Sequence, residues 1–119
     1  MSERKPILPQ GLSRNPAFSP GVQVGELLFV SGQVAQDDHG EPMGINDCEA
    51  QTRQIMSRIQ AIVETAGASM KDVVKITTFL TDISNYPGFR LGLSDTRTQL
   101  FGVAGGKKTN TNKRKPVTF

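Results

Sequence analysis

Glu26-Leu27-Leu28-Phe29-Val30-Ser31-Gly32-Gln33 is the stretch whose reading decides the fold. Leu27 to Val30 are four consecutive apolar residues, too few for a helix and flanked by Gly25 and Gly32, so they read as a strand expected to be covered on both faces. Such a strand belongs inside a sheet. The run stops at Ser31-Gly32-Gln33, where backbone groups come free of the ladder and glycine lets another chain or a small ligand approach closely.

Working outward, Val22-Gln23-Val24 alternates apolar and polar residues and Gly25-Glu26 makes a turn, which together predict an antiparallel hairpin. Residues 2–20 carry Pro6, Pro9, Pro16 and Pro20. Proline supplies no ladder donor, so this arm is expected to be irregular or extended, with Ala17-Phe18-Ser19 passing close to the sheet. Beyond Gln33, Val34-Ala35 is expected as a third short strand, and residues 37–46, with Gly40, Pro42 and Gly44, as a loop.

A helix is expected from Asn46 or Asp47, either of which can accept from free first-turn amides, with Glu49 suited to the positive end of the helix dipole. Ile55, Ile59, Ile62, Val63 and Ala66 recur at spacings of three and four and form its core face, leaving Gln51, Arg53, Gln54, Arg58 and Gln60 largely on the other side. Nothing polar interrupts the isoleucine stripe, so it reads as core and not as a cofactor site. Gly67 is a natural C-terminal cap. Ser69-Met70-Lys71-Asp72 has capping-box spacing for one helical turn. It leads into Val73 to Thr81, a β-branched run expected to be the second main strand. Pro87 fits the first turn of a second helix, with Phe89, Leu93, Leu100 and Phe101 on its apolar edge, weakened by Gly88 and Gly92 and ended by Gly102. Hairpin, helix, strand and helix predict an α+β fold, a mixed sheet with both helices on one face.

The 119 residues are a one-domain length, and no stretch approaches the roughly 18 apolar residues of a membrane span. Met1 to Gln10 lacks the apolar core of a signal peptide, which makes a cytoplasmic location the expectation. One cysteine, Cys48, and one histidine, His39, exclude a zinc site built on Cys and His spacing. Cys48 reads as a small buried or half-buried residue and His39 as a solvated turn residue. The net charge of +3 is unevenly placed: Lys107, Lys108, Lys113, Arg114 and Lys115 lie in residues 103–119 without an acid, leaving the body at −2. That basic, apolar-poor segment reads as a solvated or disordered tail, so the domain is expected over residues 1–102, with residues 1–16 as its proline-rich arm. On this reading the sheet lacks strands after the second helix.

Taken together, Phe18-Ser19-Pro20-Gly21-Val22, Gly25 to Gln33, Glu49 to Gln54, Ala66-Gly67-Ala68-Ser69 and Asp72 to Asp82 resemble, in order and spacing, the Rid family, also called YjgF or L-PSP endoribonuclease-like. The resemblance runs from about residue 16 to residue 102. It implies a chorismate-mutase-like α+β fold and a homotrimer with small clefts between subunits. It also implies hydrolysis of reactive enamines and imines, such as 2-aminoacrylate, to 2-oxo acids and ammonia without metal or cofactor. In that chemistry an arginine fork clamps the substrate carboxylate, strand-end backbone groups position the imine, and a carboxylate helps to activate water.

Carried over by position, Ser31 and Gly32 match the strand-end pocket. Phe18 stands where many members have tyrosine, keeping the apolar wall without the hydroxyl, and Arg90 falls where many have asparagine. The clamp arginine and the acid of the family's last strands have no counterpart in residues 103–119; with Pro116 aligned on the family's proline, Thr118 takes the arginine's place. Three accounts remain open: an altered ending, a non-catalytic member, or a site rebuilt on Arg90 or Arg97. These two lie seven residues apart on the expected second helix and can share a face, although the plainer reading of both is solvated helix charge. Three functions compete accordingly: a deaminase or a degenerate binder of small 2-imino and 2-oxo acids, an RNA-associated protein drawn by the basic tail, and a trimeric binding protein without chemistry.

Overall fold

The computed structural model describes residues 3–12 and 17–94 together with the backbone of 117–118. Three strands, β1 (Arg4–Ile7), β2 (Gly21–Val24) and β3 (Leu27–Val30), form an antiparallel meander. Then come α1 (Cys48–Thr65), β4 (Val73–Lys75), α2 (Tyr86–Gly92) and β5 (Val117–Thr118). The sheet order is β1-β2-β3-β5-β4, with β5 parallel to both of its neighbours. The connection from β3 through α1 to β4 is therefore a crossover between parallel strands that leaves one position between them, and β5 fills it.

Local chemistry sets the ends of α1. Asp47 is extended and its Oδ1 accepts from the Ala50 amide at 3.0 Å, with Glu49 in the first turn. At the other end Gly67 has φ +82°, and the amides of Gly67 and Ala68 donate to the carbonyls of Glu64 and Val63, a Schellman closure. Ser69 and Asp72 form the expected capping box around a 3-10 turn at Met70–Asp72.

The core lies between the sheet and α1. Ile7, Leu28 and Val30 meet Met56, Ile59, Ile62, Val63 and Ala66, and Met70 and Val73 close the far end. Each fully buried aliphatic side chain contributes about 1.5–3 kcal/mol. A Cβ on Gly21 would lie 2.9 Å from Ile62 Cγ2, so the helix rests directly on the hairpin backbone there. The shorter α2 packs along α1, and Leu93 just beyond it reaches the core.

The structure corrects several expectations. β3 is covered on one face only: Leu28 and Val30 are 0% and 6% exposed, whereas Leu27 and Phe29 are 45% and 46% exposed. A run that is apolar at every position carries no record of which face is buried. The N-terminal arm, expected to be irregular or extended, takes the extended form over residues 4–7, which pair with β2, and Pro6 is tolerated since β1 is the edge strand. Val34-Ala35 forms no strand; Gln36 and Pro42 make an isolated bridge within a loop that folds over α1. The strand expected over residues 73–81 is regular only to Lys75, where its pairing with Thr118 of β5 ends. Residues 103–119 do not all stay outside the sheet: β5 completes the centre that the sequence left empty. Leu100, Phe101 and Gly102 lie outside the described residues.

Candidate functional site

The end of β3 is held from two sides. The Ser31 amide donates to the Pro20 carbonyl at 2.9 Å and its hydroxyl donates to the Ser19 carbonyl, which fastens the Phe18-Ser19-Pro20 segment to the strand end. From the other side, the Gln33 side-chain amide donates to the Ser31 carbonyl at 3.2 Å, and Gln33 Oε1 accepts from Arg58 Nε of α1 at 3.2 Å. One helical turn earlier, Gln54 Nε2 donates to the Gln36 carbonyl at 2.7 Å. Residues 31–36 are thereby drawn onto α1 and away from the sheet.

Gly32 sits exposed between these two anchored residues, and a Cβ built on it would meet nothing within 4 Å. The backbone turn is thus fixed by its neighbours while the space beside it is open. Phe18, which precedes the Ser19 whose carbonyl accepts from Ser31, is 66% exposed, so its ring presents an apolar surface to solvent.

The expected site residues divide accordingly. Ser31 and Gly32 are adjacent at the strand end, and Phe18 belongs to the segment that Ser31 holds through Ser19 and Pro20. Arg90 is exposed in the last turn of α2, and among the described residues no hydrogen bond or ion pair joins it to the β3 end. Arg97 lies outside the described residues. His39 is exposed in its loop, where Asp37 Oδ1 accepts from its amide at 2.8 Å. Cys48 is half-buried at the start of α1, and no group of three or more His, Cys, Asp or Glu among the described residues could hold a metal ion. An open groove lined by Glu3, Arg4, Lys5, Pro6, Gln23 and Gly25 lies at the opposite end of the hairpin from Ser31.

Arg58 is the residue that sequence reasoning missed. Expected among the solvated residues of α1, it is 4% exposed. Burial lowers its proton affinity below the ordinary arginine value, and the negative charge of Asp38 opposes that shift. An arginine stays protonated through such a change, so the guanidinium remains cationic at neutral pH.

The match with known proteins decides the family. The family model described as Endoribonuclease L-PSP matches residues 11–95. The chain belongs to this family. A RutC family protein of Pyrococcus abyssi is 38% identical over 69 residues, which are 58% of this chain and 54% of that protein, so the match spans about half the length of this relative. Among solved structures, a conserved Rid family protein of Yersinia pestis superposes with a TM-score of 0.71 at 22% identity, covering 98% of this chain and 85% of that one. The YjgF gene product of E. coli gives 0.68 at 22% identity, with 97% and 82% covered. At these identities the structures speak for the fold, and they give the L-PSP chain the architecture of the Rid and YjgF proteins, a sheet with two helices. Among the described residues no helix is long and apolar enough to cross a membrane.

Proposed function

We propose that this L-PSP family chain binds small 2-imino and 2-oxo acids at the end of β3 and hydrolyses the imino acids to 2-oxo acids and ammonia. Water adds to the C=N carbon, the C–N bond breaks, and the nitrogen leaves as ammonia, so the reaction needs no oxidant. The observation that carries the reading is the open space beside Gly32, next to a Ser31 fixed by three hydrogen bonds, two of which tie it to the segment that carries Phe18. In this reading the turn backbone positions the imine and Phe18 forms the apolar wall. A carboxylate clamp falls to Arg90 or Arg97, contributed across an interface between subunits. The open sheet face bearing Leu27 and Phe29 suits a homotrimer, since an apolar sheet face of this kind is ordinarily covered by a partner. A cytoplasmic location goes with this reading.

The test is ammonia release from 2-iminopropanoate generated in situ in the presence of the purified chain. Release faster than in buffer is expected; a rate equal to buffer ends the catalytic reading, and retention of 2-oxo acid binding would then favour a trimeric binding protein. The family description and the five basic residues of positions 103–119 favour RNA association as a second reading. Replacing those five residues with glutamine should then abolish RNA retention in low salt, and unchanged retention would remove it.

A further inference from the structure

α1 takes one cation into the protein among the described residues, and it places that cation directly behind the strand-end turn. Arg58 Nε donates to Gln33 Oε1 and the Gln33 amide nitrogen donates to the Ser31 carbonyl, each at 3.2 Å. The Ser31 hydroxyl continues the line to the Ser19 carbonyl. The middle of a helix is thus connected through one side-chain amide to the backbone on either side of Gly32, the open position of the candidate site. Burying a guanidinium is costly, and an apolar side chain of similar volume packs at least as well in such a position. What arginine adds there is a directed, charge-assisted donor. That donor fixes which end of the Gln33 amide faces α1, and hence which end is available to Ser31.

We infer that Arg58 is a positioning residue of the β3-end site: by holding the Gln33 side chain it sets the course of the backbone through Ser31 and Gly32 that receives a 2-imino or 2-oxo acid. The inference rests on the strand-end reading given above, but it concerns a contact that can be measured without any ligand. Arg58 itself is too deeply covered to touch substrate, so its influence runs through Gln33.

The experiment follows backbone amide hydrogen exchange in the full 15N-labelled chain, comparing wild type with Arg58→Met, Arg58→Lys and Gln33→Ala, each titrated afterwards with pyruvate. In Arg58→Met, exchange at Ser31, whose amide donates to the Pro20 carbonyl, should quicken by about tenfold relative to Ile62 and Val63 in the same sample, as expected for the loss of one hydrogen bond to a charged donor. Gln33→Ala, which leaves the helix intact, should reproduce the change, and Arg58→Lys, which keeps a donor, should lie between. Pyruvate affinity should fall in the same order. Exchange at Ser31 that keeps its wild-type ratio to Ile62 and Val63 in Arg58→Met or in Gln33→Ala overturns the inference. Gln33→Ala decides alone if the arginine variant does not fold. Wild-type protein that neither binds pyruvate nor releases ammonia would instead overturn the proposed function, while the exchange ratios still judge the positioning role.

Discussion

Gly92, at the end of α2, offers a stringent test of how the two helices meet. A Cβ at this position would lie 2.5 Å from Thr52 Cβ and 2.8 Å from the Glu49 carbonyl oxygen. Carbon atoms in contact normally sit at about 3.5–4.0 Å. Neither neighbour can swing aside: one is a helix backbone oxygen, and the other belongs to a buried threonine whose hydroxyl donates to the Cys48 carbonyl at 2.8 Å. In Gly92→Ala, α2 must therefore retreat from α1 by about 1 Å, and forced overpacking of this kind costs roughly 1–3 kcal/mol. Alanine's better helix propensity offsets at most about 1 kcal/mol of that. The expected net loss is about 1–2 kcal/mol, or about 4–8 °C in Tm for a domain of this size. Gly88→Ala is the internal control, because its methyl would meet Cys48 Cβ and the Glu49 amide nitrogen at 3.2 and 3.3 Å, a shortfall of a few tenths of an ångström. Urea unfolding followed by far-UV circular dichroism measures both variants. Gly92→Ala as stable as wild type, or Gly88→Ala the more damaging of the two, would refute the packing argument.

Three further outcomes can be checked on the same footing. Leu28→Ala removes a side chain that is fully buried at the centre of the sheet, and urea unfolding should show a loss of about 2–5 kcal/mol; a loss below 1 kcal/mol would mean the core collapses around the gap. Asp47→Ala deletes the side chain that caps α1 and should cost about 1 kcal/mol, with no change expected if that cap is replaced by water. Asp37 is held below the ordinary carboxylate range by hydrogen bonds from the Glu41 and His39 amides, and Asp82 by those from Ser84. Each favours the folded state when ionised, so that contribution is fully present above the unfolded carboxylate value of about 4 and is lost as pH falls through the lower folded values. Acid unfolding of Asp37→Asn and Asp82→Asn should show a weaker fall in stability below pH 4 than wild type, and curves parallel to wild type would contradict it.

The features legible in the sequence were those whose causes are local. Asp47, Gly67 and the Ser69–Asp72 box each act within a few residues of themselves, and the Ile59, Ile62 and Val63 stripe follows from helical spacing. The strand end at Ser31-Gly32 was equally visible, because a glycine after an apolar run marks a break in the ladder. What escaped was decided at long range. Arg58 lies next to the core stripe on a helical wheel, and its burial depends on a loop contact 25 residues away in the chain. Gly88 and Gly92 look like flaws in a weak helix when read alone, and become contact points only when α1 lies beside them. Val117 and Thr118 follow a basic segment with no strand signal of its own, and their place is set by two neighbours that supply the pairing. Ser31 and Gly32 stood out as a strand end and Phe18 was added by the family resemblance, whereas the Gln33 and Arg58 side chains behind the turn were not foreseen.

The position of β5 also bears on the order in which this chain can fold during synthesis. The two strands that flank it, β3 and β4, are present after the first 75 residues, yet they do not pair with each other. Until residue 117 leaves the ribosome, the nascent sheet has two facing rows of unpaired backbone groups, held apart by one strand width and open to any extended segment that reaches them. Native pairing across so long a separation is intrinsically slow. Until β5 is available the centre of the sheet is adhesive, and handling of the growing chain in the cell is expected to depend on chaperone access during that interval.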